Sequence, residues 1–232
     1  MGYSKSIELY EDGIGKVDYV SHMGSDLTVV NSARVSFGVE KNELDDKDRK
    51  LINYLIKHRH TSTLEHNLIT FRFTVPLYVR SQHHRHRTWS YNEISRRYTD
   101  VNIQFYEPNV FRTQHKTNRQ ASNAEDLINP VLSCGSDCDE MVMLHHQMSL
   151  DLYERMMSAG VCREQARGVL PQNLYTEYYG TVNLSNLLKF IDLRTHEGAQ
   201  WEIQKVAEAC LEIATDLYHE TVGAYRRIRD EE

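Results

Sequence analysis

The fourteen residues Arg85-His86-Arg87-Thr88-Trp89-Ser90-Tyr91-Asn92-Glu93-Ile94-Ser95-Arg96-Arg97-Tyr98 gather four guanidinium groups, an imidazole, a carboxylate, hydroxyls and an amide between two regular elements. A guanidinium offers two parallel N–H donors to a phosphate. Arg85 and Arg87 around His86, at the end of a helix, therefore suit a nucleotide phosphate or a dinucleotide pyrophosphate. The bland alternative is a solvated basic face, the usual fate of a charge run. Glu93, Ser95 and Arg97 alternate, and in an extended chain they share one face while Ile94 and Arg96 point away. The arginine and the hydroxyl can hold a phosphate, and the carboxylate can accept from a ribose or a ring N–H. Ser95 has no His, Lys or carboxylate paired with it in an activating motif, so a phosphate or sugar contact is favoured over a nucleophile.

Four further features lie outside this run. Gln82 offers both a donor and an acceptor. Arg167 stands four residues after Arg163 on one helical face, a spacing that most often serves surface salt bridges. Arg194 falls seven residues after Leu187 and three after Ile191, on the stripe expected to face the core. A buried arginine needs an acceptor, yet Phe190 and Gly198 occupy i−4 and i+4; a distant ion pair and a ligand contact both remain open. The histidines His58, His60, His66, His83, His84 and His86 invite a metal, but there is no HExxH or paired CxxC, and Cys134 and Cys138 with His145-His146 are too weak a pattern. No metal is expected.

These residues must be positioned by regular elements. Asp45 to Lys57 reads as a helix, with Leu51, Leu55 and Ile52, Ile56 at i, i+4 and acidic residues in its first turn. Ile69, Phe71, Phe73 and Val75 alternate with Thr70, Arg72 and Thr74, the period of a half-buried strand that Pro76 stops. Leu77 to about Arg87 looks helical, so the basic run starts where a helix gives out. Residues 107–139 are polar, nearly without periodicity, and read as a long excursion. Met141, His145, Met148, Leu152 and Met156 restore a helical stripe, ended by Gly160. A short helix covers about Arg163 to Leu170, and Tyr175 to Val182 suits a strand. Asn183 and Ser185 can cap a helix bearing Leu184, Leu187, Leu188 and Ile191. Ala199, Ile203, Val206, Cys210, Leu217 and Val222 predict one long C-terminal helix. The sum is an α+β fold, with helices flanking a mainly antiparallel sheet in a single domain over 1–232.

Bulk properties agree with an enzyme. Charged residues make up 26% and the net charge is −6, which disfavours a general nucleic-acid binder held by counterion release. No apolar run approaches the roughly 20 residues of a membrane span, and the start lacks a signal-peptide apolar core, so a cytoplasmic location is expected. Cys134, Cys138, Cys162 and Cys210 form no disulfide framework in a chain of this size. No G-x-G-x-x-G fingerprint is present, so a dinucleotide would not be held in a Rossmann manner.

The run from Arg85 to Tyr98 fills the pattern R-H-R-x-x-S-x-N-E-x-S-x-R-Y without a gap, and on these residues the chain resembles the flavin-dependent thymidylate synthases. Further landmarks occur in family order: Ala33-Arg34-Val35-Ser36-Phe37, Ser62 with Glu65-His66, Ala166-Arg167 before Leu170-Pro171, Asn173-Leu174-Tyr175, Asn183, and Arg194 with Ala199-Gln200-Trp201-Glu202-Ile203. The resemblance implies reductive methylation of dUMP to dTMP, with 5,10-methylenetetrahydrofolate as carbon donor and NADPH-reduced FAD as hydride donor. It implies FAD contacts from His60, Ser62, Arg85, His86, Arg87, Glu93, Asn183 and Lys189. It implies dUMP contacts from Gln82, Arg85, Glu93, Ser95, Arg97, Arg167 and Arg194. Arg194 would lie against the uracil ring and stabilise its negative charge when N3 ionises. A homotetramer with shared active sites is implied too. Three positions depart from the family. Thr63 stands where many members have Pro, which is expected to loosen a flavin-contacting turn. Gly198 stands where a His or another polar residue is common, beside His196, and Lys189 stands where Asn is frequent. Two other classes compete: a metal-dependent nucleotide phosphohydrolase, from the His and Arg clusters, and an RNA- or DNA-binding module, from the arginines interleaved with Trp89 and Tyr91.

Overall fold

Pairing of alternating apolar segments builds the frame seen in a computed structural model, which describes residues 2–231. The strands are β1 (Ser6–Glu8), β2 (Lys16–Met23), β3 (Leu68–Pro76), β4 (Ser90–Glu93), β5 (Phe111–Gln114), β6 (Ser122–Ile128) and β7 (Tyr175–Asn183). Five of them form one antiparallel sheet in the order β1-β2-β3-β7-β4, and β5 pairs with β6 apart from it. The helices are α1 (Asp26–Arg34), α2 (Asp46–Lys57), α3 (Leu77–His83), α4 (Cys138–Ser158), α5 (Arg163–Ala166), α6 (Leu184–Arg194), α7 (Trp201–Leu217) and α8 (His219–Glu231).

Alternation in β3 divides the sheet as expected. Ile69, Phe71, Phe73 and Val75 are all 0% exposed, in one core with Leu187, Phe190 and Ile191 of α6 and Ile203, Val206 and Ile213 of α7. The other face is polar and paired across strands: the Arg72 guanidinium donates to Asp18 at 2.9 and 3.1 Å, and Thr70 meets Thr181 at 2.9 Å. Register sets Phe73 opposite Tyr178 and Glu93 opposite Tyr178 from the other side. The edge strand β4 thereby delivers its carboxylate beside the aromatic centre of the sheet.

Several expectations need correction. The single C-terminal helix is two helices broken at Tyr218, whose backbone leaves the helical region (φ −128°, ψ 60°). Its hydroxyl donates to the carbonyls of Met23 and Leu68, pinning the ring in the core. The new helix start is capped from a distance, since Asp26 accepts from the N–H groups of Glu220 and Thr221 at 3.0 and 2.9 Å. Along α4, the stripe of His145, Met148 and Leu152 faces outward, and His146, Ser149 and Tyr153 are buried instead. The helix read over Arg163 to Leu170 is one turn of α-helix followed by a 3₁₀ turn. Within 107–139 the chain makes the β5–β6 hairpin; β6 is mostly exposed and polar, so no period-two signal marks it.

Gly180 lies where β7 passes under two rings. A Cβ there would sit 2.9 Å from Phe73 Cε2 and 3.1 Å from Trp89 Cε3. Gly180→Ala is expected to destabilise the protein by about 1–3 kcal/mol, the usual cost of overpacking a filled core, as read by urea denaturation with an unchanged m-value.

Candidate active site

The basic run owes its shape to what is buried around it. Helix α3 stops at His83, shorter than the reading to Arg87, because His83 and Trp89 both turn into the core. The His83 ring packs edge-on to Trp89 at 4.5 Å and beside Phe190 at 4.7 Å, and its Nδ1 lies 2.8 Å from the Tyr178 hydroxyl. Tyr91 then ties the loop down by donating to the carbonyls of His83 and His86 at 2.9 and 3.2 Å. Arg85 and Arg87 are left exposed, and His86 between them turns inward.

His86 meets the residue singled out at the end of α6. Arg194 is half-buried; its Nε donates to His86 Nε2 at 3.0 Å and its Nη2 reaches the Gln82 carbonyl at 3.4 Å. Among the described residues no carboxylate pairs with it, so the distant ion pair left open by the sequence is absent. Burial lowers its pKa from the usual arginine value, but a guanidinium stays charged. A cation facing only uncharged acceptors is suited to negative charge on a ligand. His86 stays neutral beside it, pushed down to about 4 by burial and then by the Arg194 charge.

A cleft of about 540 Å³ is lined among others by Arg80, Glu93, Ser95, Arg96, Arg167 and Thr176. The structure thus brings Glu93, Ser95 and Arg167 together. Arg97 is not with them, and the shared extended face was a misreading. β4 ends at Glu93, and a turn follows in which Tyr98 N–H donates to the Ser95 carbonyl at 2.9 Å. Arg97 is turned to Glu164 at 3.4 Å and forms a separate recess with Tyr98 and Arg163. Arg163 itself pairs with Asp100 at 2.9 Å. Arg80 was missed by the sequence reading. It lies 3.2 Å from Glu93, which also accepts from Thr176 Oγ1 at 2.7 Å. No local signal marked it, since side chains two residues apart on a helix face different ways.

A second cleft, about 430 Å³, lies between α2, α6 and α8 and is lined in part by Arg59, Thr61, Ser185, Lys189 and Tyr225. His60 and Ser62 are exposed on the 3₁₀ turn that borders it. Asn183 caps α6, accepting from the Asn186 N–H at 2.9 Å. Ser185 lines this cleft, and its Oγ is buried with no protein partner, a hydroxyl with hydrogen-bonding capacity still unused. Among the described residues, no group of three or more His, Cys, Asp or Glu could hold a metal ion.

The family model described as thymidylate synthase complementing protein matches residues 18–218. A flavin-dependent thymidylate synthase of Thermus thermophilus is 42% identical, over 87% of this chain and 72% of that protein. One from Thermotoga neapolitana is 39% identical, over 86% and 85%. Among solved structures, the UMP/dUMP methylase PolB from Streptomyces cacaoi, bound with 5-Br dUMP, superposes with a TM-score of 0.79 at 33% identity, over 95% of this chain and 97% of that one. The chain belongs to the flavin-dependent thymidylate synthase family.

Two departures from the family pattern have structural answers. Thr63 is buried and its hydroxyl donates to the His60 carbonyl at 3.1 Å, a hydrogen bond within the turn where a proline would stand. At Gly198 the backbone N–H donates to His196 Nδ1 at 3.0 Å. The imidazole is thus engaged by its own loop.

Burial holds His83 well below the ordinary imidazole value, with the His86, His84 and Arg194 charges adding to it, and His86 lies at about 4. In the unfolded chain both titrate near 6.5. Their contribution is complete above about pH 6.5 and is lost as the pH falls towards about 4, because only the unfolded chain takes up those protons. The unfolding temperature should drop across that window in a calorimetric series. His86→Gln should show a shallower drop.

Proposed function

We propose that the chain catalyses the reductive methylation of dUMP to dTMP, with 5,10-methylenetetrahydrofolate as carbon donor and NADPH-reduced FAD as hydride source. The observation that carries this reading is the Arg194 guanidinium, half-buried against His86 and Gln82 with no carboxylate, in a chain that also builds a cleft bearing Arg80, Glu93, Ser95 and Arg167. In that cleft Ser95 and Arg167 hold the phosphate end of dUMP, with Arg85 as a further phosphate contact, and Glu93 accepts from the sugar or ring; Arg97 would have to leave Glu164 to join them. Gln82 and Arg194 address the uracil edge. Arg194 stabilises negative charge on the ring as C5 becomes the carbon nucleophile, the preorganised electrostatics that usually contributes most to catalysis.

The residues around the second cleft fit a flavin. Ser185 supplies an unpartnered buried hydroxyl, Lys189 a cation, and Asn183, His60 and Ser62 border the same region. Arg85 and Arg87 hold the cofactor's pyrophosphate, with His86 and Glu93 completing its contacts. When bound, FAD supplies the hydride that finishes the methyl group; the protein supplies position and charge. The whole of 1–232 works as one domain, in a homotetramer whose sites are shared between subunits. Exposed Met143, Leu144, Met148 and Leu152 on α4 support assembly. The four unpaired cysteines support a reducing, cytoplasmic setting.

Purified protein should show a flavin absorption spectrum, directly or after adding FAD. Arg194→Ala should keep flavin binding and NADPH oxidation while dTMP formation falls about 10²–10³-fold. Arg194→Lys should be impaired too, since the planar fork is lost. Loss of folding, flavin and dTMP formation in equal proportion would make Arg194 a structural residue instead.

Arg87→Ala should weaken FAD binding by about 1.5–3 kcal/mol with little change in folding. Mixed with an Arg194→Ala subunit it should regain part of its activity, because each shared site draws on more than one chain. A fully active monomer would overturn the shared-site arrangement.

A further inference from the structure

The β5–β6 hairpin has no part in the reaction just described, yet one of its side chains connects to the nucleotide side of the site. Arg112 on β5 donates from Nη2 to Glu202 Oε1 at 2.6 Å. It is steadied by Ser122 Oγ at 3.1 Å and by the Trp201 ring, 5.2 Å from its guanidinium carbon. Glu202, only 4% exposed, accepts on its other oxygen from Gln200 Nε2 at 2.9 Å. Gln200 Oε1 in turn accepts from Gln82 Nε2. Arg112, Glu202, Gln200 and Gln82 form one continuous chain ending beside Arg194.

The direction of every bond in this chain follows from its first pair. Facing Arg112, the Glu202 carboxylate is an acceptor only. Gln200 must turn its NH₂ towards Glu202, which leaves its oxygen for Gln82. Gln82 must then turn its NH₂ towards Gln200. What Gln82 has left for a ligand is its carbonyl oxygen with one adjacent N–H, in a settled orientation. Inverting the amide would set oxygen against oxygen inside a partly buried chain, which leaves polar groups unpaired at a cost.

We propose that Arg112 and Glu202 are positioning residues that fix the amide of Gln82 and so make the site select uracil over cytosine nucleotides. The inference rests on the dUMP reading above. Neutral uracil presents the N3–H donor beside the O4 acceptor, which complements the oxygen and N–H that Gln82 has free. Cytosine presents an N3 acceptor beside an N4 amino donor, the reverse order, and would need the inverted amide. A site built around buried polar groups rejects the mismatched analogue because those groups are left unpaired.

The test uses FAD-loaded enzyme and measures dissociation constants for dUMP and dCMP by calorimetry, with FAD retention as the control. Wild type should prefer dUMP. Glu202→Gln must turn its amide oxygen to Arg112 and its NH₂ to Gln200, which reverses the chain and favours the inverted Gln82 amide, and Gln200→Met frees the Gln82 amide while leaving the Arg112–Glu202 pair intact. Each should narrow the dUMP over dCMP preference by about tenfold or more, with FAD retention unchanged. Gln200→Met keeps the test decisive if Glu202→Gln does not fold. If the variants weaken both nucleotides equally or keep the wild-type preference, the positioning chain is overturned and the dUMP reading stands. A wild-type enzyme that binds no dUMP would overturn the reading beneath it.

Discussion

Moving a guanidinium halfway out of water is costly unless its N–H groups find acceptors, and Arg194 meets that demand with an imidazole nitrogen and a main-chain carbonyl. Neither acceptor neutralises the charge. Much of the surrounding architecture serves to keep them in place. His86 stays an acceptor because burial and the arginine keep it unprotonated. The Gln82 carbonyl is available because α3 ends one residue later, where His83 turns into the aromatic core. A carboxylate in either place would make a tighter pair and a poorer site, since the positive charge would already be neutralised.

The nearby carboxylates are controlled by the same logic. Glu93 is held by Thr176 and Arg80, and Glu202 by Arg112 and Gln200. Each is oriented by side chains from a different part of the chain: α3, β5, β7 and the residue preceding α7. The sheet register makes this possible, because β4 and β3 flank β7 and bring Glu93 and Phe73 to opposite sides of Tyr178. Packing and electrostatics are therefore coupled at one place. The rings that bury His83 also fix the loop that exposes Arg85 and Arg87.

What was legible in the sequence was local. The period of two in Ile69 to Val75 marked the central strand, Asp45 and Asn183 marked helix starts, and the run from Arg85 to Tyr98 marked the family, because each signal lies within a few residues. The break at Tyr218 was hidden, since its cause is a cap from Asp26 and an anchor on Met23 and Leu68, far away in sequence. The β5–β6 hairpin was hidden because a polar, exposed strand carries no alternation. Arg97 was placed on the wrong face because alternation was extended past Glu93, where pairing with β7 stops. Arg80 and Arg112 were missed because a lone arginine on a short element looks like any solvated cation until its partner is known. Gln200 and Glu202 stood in a family landmark, but only the fold brings them to Gln82.

A net charge of −6 opposes anionic ligands as a whole, and the pairing pattern resolves the conflict. Away from the site, several cations are matched: Arg34 and Lys41 with fully buried Asp48, Arg49 with Glu220, and Arg72 with Asp18. At the site, Arg85, Arg87, Arg167 and Arg194 have no carboxylate partner among the described residues. Unmatched positive charge at clefts and their rims acts where low-dielectric walls focus the field. The same −6 spread elsewhere discourages non-specific contact with polyanions. Discrimination between a nucleotide and a nucleic acid can thus arise from where charges are left unpaired rather than from the total.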